Sequence, residues 1–457
     1  PQMRAASRVI FQFNRPGKLP RMTSFVHAST ETHKPQAKAS YTFSDIFQIC
    51  CITFFAVYTI SPPLLVIDAA RIVALLAVGL FIIVEIIKRP ETFLRPTWIT
   101  VITIVYAVYI NLFGYLTDGL SDVVRNFELN VFLFCIIILE SYRRRSLEHL
   151  KWPALGVCLA SMAWILVTLI AMEGQRNVAR VITRTSAESE ALMSAGVGGF
   201  GLTYFSCAMI PALIYFVRAE NLKPAWLKIP AWVYLGLVSL LVIRAGFFIA
   251  LIFAAAAALV AVFYVKGTQK AFLQAALALA AVLGLGILAS SQVRDVALEW
   301  SEGTMYERKV EDATASLDRS MPDGTISQRA ERYQRSLKIF SENPLVGVIS
   351  VQDVGKHSQV LDSLARYGIL IGGLLPLAIL LVGRELSKRF IGTTGFPLVA
   401  VSLLLILGLA LFNNITMTLG VAAFIIMPAV VYVITRGERE AEDAASIHAA
   451  GSIRGAG

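Results

Sequence analysis

Twelve apolar runs, most of them long enough to cross a lipid bilayer, divide this sequence between residues 45 and 435. Crossing about 30 Å of hydrocarbon takes about 20 apolar residues in a helix. Because lipid offers the backbone no hydrogen-bond partner, these runs must be helical. A soluble globular fold is excluded, since 56% of the residues are hydrophobic and only 16% are charged. The runs are 45–61, 64–87, 97–116, 127–142, 152–173, 197–218, 229–243, 246–265, 270–289, 358–383, 395–412 and 416–435.

Lysine and arginine mark one side of the predicted bundle. They recur in alternate connections, such as 88–89, 143–145 and 388–389, and this pattern indicates cytoplasmic connections. With an even number of helices, both termini are then cytoplasmic and the intervening connections face outward. We therefore predict an all-α, polytopic membrane protein with about twelve transmembrane helices. One large outer loop, at 290–357, is expected to carry short interfacial helices.

The chain is predicted to hold one membrane domain at 41–436, between disordered cytoplasmic tails at 1–40 and 437–457. The net charge of +10 reflects this topology, and the basic residues lack the interleaved aromatics typical of nucleic-acid binding. All five cysteines lie in apolar runs, without disulfide or zinc-ligand spacing. No metal site, no cofactor and no nucleic-acid partner are predicted.

Arginines on the predicted outer connections require an explanation, because the positive-inside rule disfavours arginine on that side of the membrane. They form three groups, which are Arg176, Arg180 and Arg184, then Arg244, then Arg329, Arg332 and Arg335. Two interpretations stay open. Either the side chains extend to lipid headgroups without a specific role, or they bind a polyanion. A membrane-surface diphosphate suits guanidinium groups, which bind phosphate through paired, charge-assisted hydrogen bonds.

His357 is the one histidine near the outer arginines, at the start of the apolar run 358–383. It is either an exposed loop residue without a role or a base suited to neutral pH. Asp362 and Arg366, four residues apart in that run, are expected to face the bundle interior as a structural ion pair or as part of a site. Tyr333 belongs to an apolar stripe beside the last arginine group, which suits an interfacial helix.

Three stretches of the sequence, in this order, resemble the superfamily of bacterial O-antigen ligases and O-antigen or exopolysaccharide polymerases. The first is the Arg-Ala-Gly turn at Arg244, which lacks the preceding Ser or Thr common in the family. The second runs from Arg329 to Gly347 and ends in Asn-Pro-Leu-Val-Gly. The third, from His357 to Gly372, reads His-Ser-x-x-Leu-Asp-x-Leu-Ala-x-Tyr-Gly-x-x-x-Gly.

The resemblance implies a glycosyltransferase of the bacterial inner membrane with its active site facing the periplasm. The donor would be a glycan on undecaprenyl diphosphate. His357 would take the proton from an acceptor sugar hydroxyl, with inversion at the anomeric carbon. Arg244, with Arg329 or Arg332, would stabilise the departing diphosphate. Substrate binding is assigned to Arg176, Arg180, Arg184, Arg335, Asp362 and Tyr333.

Polymerase and ligase differ in their acceptor, which is another lipid-diphosphate glycan or the core of lipid A. The His-Ser-x-x-x-Asp form and the additional arginine group at 176–184 favour a polymerase, with ligase as the alternative. Membrane lipids, a chain-length regulator and a flippase are the expected partners. A twelve-helix secondary transporter is the alternative from another class. It is disfavoured because transporters place charges at the bilayer midplane in pseudo-symmetric halves.

Overall fold

The computed structural model describes residues 41–120, 124, 126–175, 178–182, 186–220, 222, 224–264, 299, 302–303, 307, 310–311, 325–348 and 354–454. The chain divides at Thr42 into two compact units, and the described helices all belong to the second. Throughout the described ranges the secondary structure is helical, with no strand. The predicted disordered tail at 1–40 lies outside the described residues.

The principal helices form a polytopic bundle, and most correspond to the predicted apolar runs. They are α1 (Phe43–Ile60), α2 (Asp68–Lys88), α3 (Trp98–Asp118), α4 (Phe127–Arg144), α5 (Lys151–Gly174), α6 (Phe200–Arg218), α7 (Lys228–Arg244), α8 (Phe248–Phe263), α9 (Thr325–Glu342), α10 (Gln359–Tyr367), α11 (Leu374–Phe390), α12 (Gly395–Phe412), α13 (Met417–Val421) and α14 (Met427–Arg454). Short helical turns occupy Pro62–Val66, Glu91–Leu94, Leu147–Leu150, Val178–Val181, Ala187–Ser194 and Ala225–Leu227. π-Helical turns at Gly368–Gly372 and Ala422–Ile426 join α10 to α11 and α13 to α14.

Eight helices in the described part of the chain are long and apolar enough to cross a membrane, or nine if α10 and α11 form one bent span. The prediction of an all-α, multi-pass membrane protein is therefore confirmed. Of the twelve predicted runs, 270–289 lies outside the described residues. The run at 246–265 is the 16-residue helix α8, which at about 24 Å is short for a bilayer.

Helix α4 is helical as predicted, although it carries too many charges for an ordinary lipid-facing span. Most of its residues are buried, so it packs inside the bundle rather than against lipid. Two of its charges form an ion pair, in which Arg143 Nε donates to Glu140 Oε1 at 2.7 Å. Asn130 on α4 and Asn111 on α3 exchange amide hydrogen bonds of 2.7 and 2.9 Å, which satisfies both side chains within the bundle.

The prediction of one continuous helix at 358–383 is wrong, because α10 and α11 meet at an angle of 68°. Gly368 ends α10 with φ +63°, a left-handed conformation that other residues adopt at a cost. The backbone of Leu345 lies where a side chain at position 368 would begin. The chain around Pro344 packs against this break between α10 and α11, where Ile369 N donates to Pro344 O at 2.8 Å.

The disorder predicted for the tail at 437–457 stays a prediction, and in the described part of that segment α14 continues to Arg454. Arg436 Nε and Glu440 Oε1 form an ion pair at 2.8 Å, four residues apart on this helix. Such pairs support an exposed helix, and alanines and glutamates, both good helix formers, fill much of the segment.

The basic connections predicted to be cytoplasmic lie together at one end of the bundle, which we call the basic end. Arg389 Nη1 donates to Arg143 O at 3.2 Å, and Arg436 pairs with Glu148 at 3.2 Å. The turn after α7 and the residues between α12 and α13 meet at the opposite end, which we call the site end. The predicted alternation of connections agrees with this grouping. Which side of a membrane each end faces remains a prediction.

A buried polar network joins α1, α2 and α4 at the basic end. Its members are Asp45, Gln48, Glu85, Arg89, Thr92, Ser141 and Arg145. Glu85, which is 1% exposed, accepts hydrogen bonds from Ser141 at 2.7 Å and from Arg145 at 2.5 Å. Asp45 accepts from Arg89 at 2.8 Å. The two acids and two arginines balance in charge, as buried ionised groups require.

Candidate active site

A cavity of about 470 Å³ opens at the site end between α6, α8, α9 and the loop before α10. We call it the first chamber. Its lining residues are Phe200, Tyr204, Phe247, Phe248, Ile249, Gln328, Arg329, Arg332, His357, Asn413 and Asn414. No carboxylate stands among these residues. The first chamber therefore combines two guanidinium groups and an imidazole with an aromatic wall.

Helix α9 is fixed against the bundle by two hydroxyl side chains. Tyr333 donates from its hydroxyl to Phe412 O at 2.7 Å. Ser336, 1% exposed, donates to Asp362 Oδ1 at 2.6 Å and accepts from Gly355 N at 2.9 Å. Any Cβ on Gly355 would come within 2.9 Å of Ser336 Oγ, so only glycine permits this approach. These contacts orient the arginine face of α9.

The loop that carries His357 is held by a capped helix start. Ser358 is the N-cap of α10, and its Oγ accepts from Leu361 N at 3.1 Å. Asp362 reaches back from the first turn, and its Oδ2 accepts from Ser358 N at 3.1 Å. Such reciprocal bonds satisfy the free N–H groups of a helix start. Lys356 precedes His357 with φ +63°. His357 is therefore placed by the backbone on both sides.

His357 contacts Arg332 directly, through a hydrogen bond between Arg332 Nη1 and His357 Nε2. A guanidinium has no acceptor, so Nε2 must accept and the ring proton is on Nδ1. The pKa of His357 is lowered by burial and by the positive charges of Arg332 and Arg329, against a smaller opposite effect of Asp362. His357 is therefore a neutral imidazole at neutral pH, the form a general base needs.

Asn413 connects the first chamber to three elements of the bundle. It is 5% exposed, and its Nδ2 donates to the Tyr204 hydroxyl at 2.8 Å. Arg329 Nη1 lies 3.4 Å from its Oδ1, and Gln359 N donates to its carbonyl oxygen at 3.1 Å. No role was predicted for Asn413 from the sequence. The signal was two adjacent amides directly after the apolar run 395–412.

The aromatic wall of the first chamber comes from α6 and from the turn before α8. The rings of Phe200 and Tyr204 are 4.1 Å apart, and Phe247 packs edge-on against Phe200 at 5.6 Å. Arg180 supports the wall from behind, donating to Gly246 O and lying 5.6 Å from the Phe247 ring centroid. Arg180 thus fixes the turn and does not line the chamber. The chamber suits an amphipathic ligand, anionic on one side and apolar on the other.

A second chamber, of about 600 Å³, adjoins the first and shares Phe200 and Asn414 with it. Its lining residues are Tyr106, Asn126, Glu128, Leu129, Phe200, Val354, Lys356, Gln359, Asp362, Ser363, Arg366, Tyr367, Asn414, Ile415 and Thr416. Asp362 therefore belongs to the second chamber rather than the first. The tyrosines, amides and hydroxyls in this lining were not singled out from the sequence, because they come from four separate parts of the chain.

Arg244 does not line either chamber. It ends α7, and its guanidinium forms an ion pair with Glu173 at the C-terminal end of α5. Both side chains are accessible, at 34% and 69%. The nearest residue along the chain that lines the first chamber is Phe247, three residues later. The turn is present as predicted, and Gly246 has φ +68°.

Some of the other predicted site residues line the first chamber, and others lie outside it. Arg329, Arg332 and His357 come together in the first chamber. Arg335 is exposed on α9, outside both linings, and Tyr333 anchors that helix. Arg176 and Arg184 lie outside the described residues.

Among the residues that the structure describes, no group of three or more histidine, cysteine or acidic side chains could hold a metal ion. No protein-family model matches the chain, and no curated protein matches it. The resemblance carried by the three sequence stretches is therefore untested by comparison with known proteins. The two chambers and their residues carry the functional argument.

Proposed function

We propose that the protein is a polymerase of lipid-linked oligosaccharide repeat units, of the O-antigen, capsule or exopolysaccharide kind. One observation carries the proposal. Among the residues that the structure describes, Arg329, Arg332 and His357 line the first chamber together with an aromatic wall and no carboxylate. A sugar on undecaprenyl diphosphate has matching parts: an anionic diphosphate for the guanidinium groups and an apolar lipid for the aromatic side.

The proposed reaction is a direct displacement at the anomeric carbon of the donor. An acceptor hydroxyl oxygen forms the new bond to that carbon while the bond to the diphosphate oxygen breaks, which inverts the configuration. His357 Nε2 takes the hydroxyl proton as general base. Negative charge develops on the leaving diphosphate, and Arg329 and Arg332 stabilise it there. Undecaprenyl diphosphate is released. Arg244, paired with Glu173, has no part in this mechanism.

Arg332 couples donor binding to activation of the base. In the structure its guanidinium donates to His357 Nε2. A diphosphate offers the same guanidinium a charge-assisted, two-point partner, which is stronger than a neutral imidazole. Donor binding therefore draws Arg332 away and frees Nε2 for the acceptor hydroxyl. We infer that the donor binds before the acceptor.

The proposal places the protein in a bacterial inner membrane, with both termini in the cytoplasm and the site end in the periplasm. The concentration of Lys and Arg at the basic end supports this orientation through the positive-inside rule. Donor glycans of this kind would reach the site end after transfer across the membrane. A flippase and a chain-length regulator are the partners that such a polymerase implies.

His357→Ala tests the chemistry most directly. We expect polymer formation to fall by about 10²- to 10⁴-fold, the usual contribution of a general base. Arg332→Ala should cost about 10²- to 10³-fold, because charge on the leaving group loses a donor. Transfer between purified lipid-linked repeat units gives the measurement. Lys338→Ala is the matched control, since Lys338 is a cation on the same helix, exposed and outside both chambers.

Equal polymer from His357→Ala, Arg332→Ala and Lys338→Ala would contradict the assignment of the first chamber. The glycan profile of a deletion strain separates polymerase from ligase. Lipid A carrying a single repeat unit indicates a polymerase, whereas full-length polymer left on undecaprenyl diphosphate indicates a ligase. Proton-coupled uptake into proteoliposomes without any glycan phenotype would instead indicate a transporter.

A further inference from the structure

We propose that the second chamber is the acceptor subsite and binds an uncharged, polyhydroxylated sugar ring. This inference rests on the proposed function, since it names what the second chamber holds while the first holds the donor diphosphate. It assigns the two adjacent cavities to two chemically different parts of the reaction.

The two chambers differ in the charged side chains that line them. In the described part of the chain, two arginines and no carboxylate line the first chamber. The second is lined by two acids, Glu128 and Asp362, and two bases, Lys356 and Arg366. A balanced lining gives a polyanion no net attraction, and the carboxylates would repel it. The second chamber therefore disfavours a diphosphate and suits a neutral ligand.

The remaining lining of the second chamber has the functional groups that recognise sugars. Tyr106 and Tyr367 provide aromatic surface, and the Tyr106 hydroxyl lies 2.9 Å from Ser363 Oγ. Amide and hydroxyl side chains such as Gln359 and Thr416 can both donate and accept hydrogen bonds. A few polar groups placed among aromatic and apolar surface are the usual composition of a specific ligand site.

The position of the second chamber brings an acceptor to the proposed base. Lys356 lines the second chamber and His357, the next residue, lines the first. Their Cα atoms are about 3.8 Å apart, as across any trans peptide. Phe200 and Asn414 line both chambers, and Asn414 Nδ2 approaches Lys356 O at 3.5 Å. A sugar in the second chamber thus has the donor chamber and the imidazole at one edge.

Binding measured separately for the two substrates tests the assignment. The full chain is placed in lipid nanodiscs. One probe is undecaprenyl diphosphate, and the other is the free oligosaccharide released by mild acid from lipid-linked repeat units of the source cells. Two variants alter the second chamber, Gln359→Ala and Thr416→Val, and Arg329→Ala alters the first. The unfolding temperature and retained binding of the other probe show that each variant is folded.

We expect Gln359→Ala and Thr416→Val each to weaken oligosaccharide binding by roughly tenfold, the effect of losing one buried hydrogen bond. Their affinity for undecaprenyl diphosphate should stay unchanged. Arg329→Ala should give the opposite result, with weaker binding of the diphosphate and unchanged binding of the oligosaccharide. This double dissociation would support two subsites with different ligands.

The two proposals fail in distinguishable ways. If the diphosphate binds in an Arg329-dependent manner but the second-chamber variants leave oligosaccharide binding unchanged, the acceptor subsite is wrong and the donor site stands. Competition between the two probes for the second chamber would also overturn the acceptor subsite. If the oligosaccharide binds there but the diphosphate binds nowhere, the second chamber remains a sugar site and the polymerase proposal is wrong.

Discussion

Arg332 and His357 control each other's chemistry in the first chamber. The guanidinium donates to Nε2, which fixes the ring tautomer. Its charge, with that of Arg329 and the burial of the ring, also lowers the pKa of the imidazole. In the proposed mechanism, the same residue would therefore keep the base unprotonated and block it until the donor diphosphate binds. An acceptor hydroxyl would then be deprotonated only after Arg332 has moved.

The pKa of His357 should lie below the ordinary histidine value of about 6.5. Measured as kcat/KM, which reports the free enzyme, transfer activity should therefore hold from neutral pH downward and fall only as pH drops through that lowered pKa. Arg332→Gln should raise the pKa, because one of the positive charges that oppose protonation is removed. Binding of undecaprenyl diphosphate should also raise it, since an anion enters and Arg332 leaves. NMR titration of ¹⁵N-labelled histidine measures each shift, with His357→Gln identifying the signal.

A His357 pKa that does not move in Arg332→Gln would contradict the proposed pairing. The opposing carboxylate of Asp362 is present in both proteins and cannot hide the difference. Arg335→Gln serves as the comparison, because Arg335 is exposed outside the chamber and its charge is screened by solvent.

Between the helices, one short turn determines where the site end bends. The residues around Pro344 form backbone hydrogen bonds to the end of α10, and Val348 N donates to Ala365 O at 3.1 Å. Gly347 has φ +72°, and a Cβ there would come within 2.6 Å of Gly368 N. The two glycines face each other across this contact. The turn connects α9 to the bent pair α10–α11 and so sets the distance between Arg332 and His357.

Gly347→Ala should destabilise the site end beyond the cost of its backbone conformation. Gly392→Ala is the matched control, because Gly392 also has positive φ, +82°, but open space beside it. Both variants carry the left-handed penalty of about 1–2 kcal/mol. Only Gly347→Ala forces two backbones apart, so its unfolding temperature and its activity should fall further. Equal losses in the two variants would mean that the turn is not packed as described.

The sequence predicts the helices well and the site only in part. Apolar runs long enough to cross a bilayer become helices there, so α1, α6 and α12 could be expected from local composition alone. The break at Gly368 could not, because it depends on contact with a turn more than 20 residues earlier in the chain. Arg332 and His357 were predictable from their unusual position on an outer connection. Asn413 was not, because a polar residue after an apolar run usually marks only a helix end.

At the scale of the whole molecule, the two ends of the bundle differ in structure. The basic end contains a charge-balanced, buried network, and the site end contains cavities. Breaking a buried ion pair leaves an uncompensated charge, at a cost of about 3–5 kcal/mol. The polar network therefore has to stay intact for α1, α2 and α4 to remain packed.

Glu85→Gln should lower the free energy of unfolding by about 3–5 kcal/mol, because Arg145 and Arg89 then lose their buried partner. Asp68→Asn is the control, since Asp68 and Arg71 form an exposed ion pair at 3.5 Å on the same helix, and exposed pairs contribute little. Chemical unfolding in detergent micelles compares the two variants. A small effect of Glu85→Gln would mean that the network does not stabilise the bundle.

The proposed orientation predicts opposite labelling of two exposed lysine positions, Lys338 on α9 and Lys388 on α11. In spheroplasts, a membrane-impermeant maleimide should label Lys338→Cys directly. It should label Lys388→Cys only after the membrane is permeabilised, since that position is at the basic end. The cysteine-bearing native chain measures background labelling. Reversed accessibility would place the first chamber in the cytoplasm, away from the proposed substrates.

The partition formed by Phe200 and Asn414 has a consequence for processivity. In a polymerase, each transfer leaves the lengthened glycan on the carrier that entered as acceptor. The diphosphate of that carrier must enter the first chamber and become the next donor before another unit is added. The number of units added before the glycan leaves the protein depends on the rate of this step relative to the rate of escape into the bilayer. Product length would then depend on two wall residues that touch neither the bond made nor the bond broken.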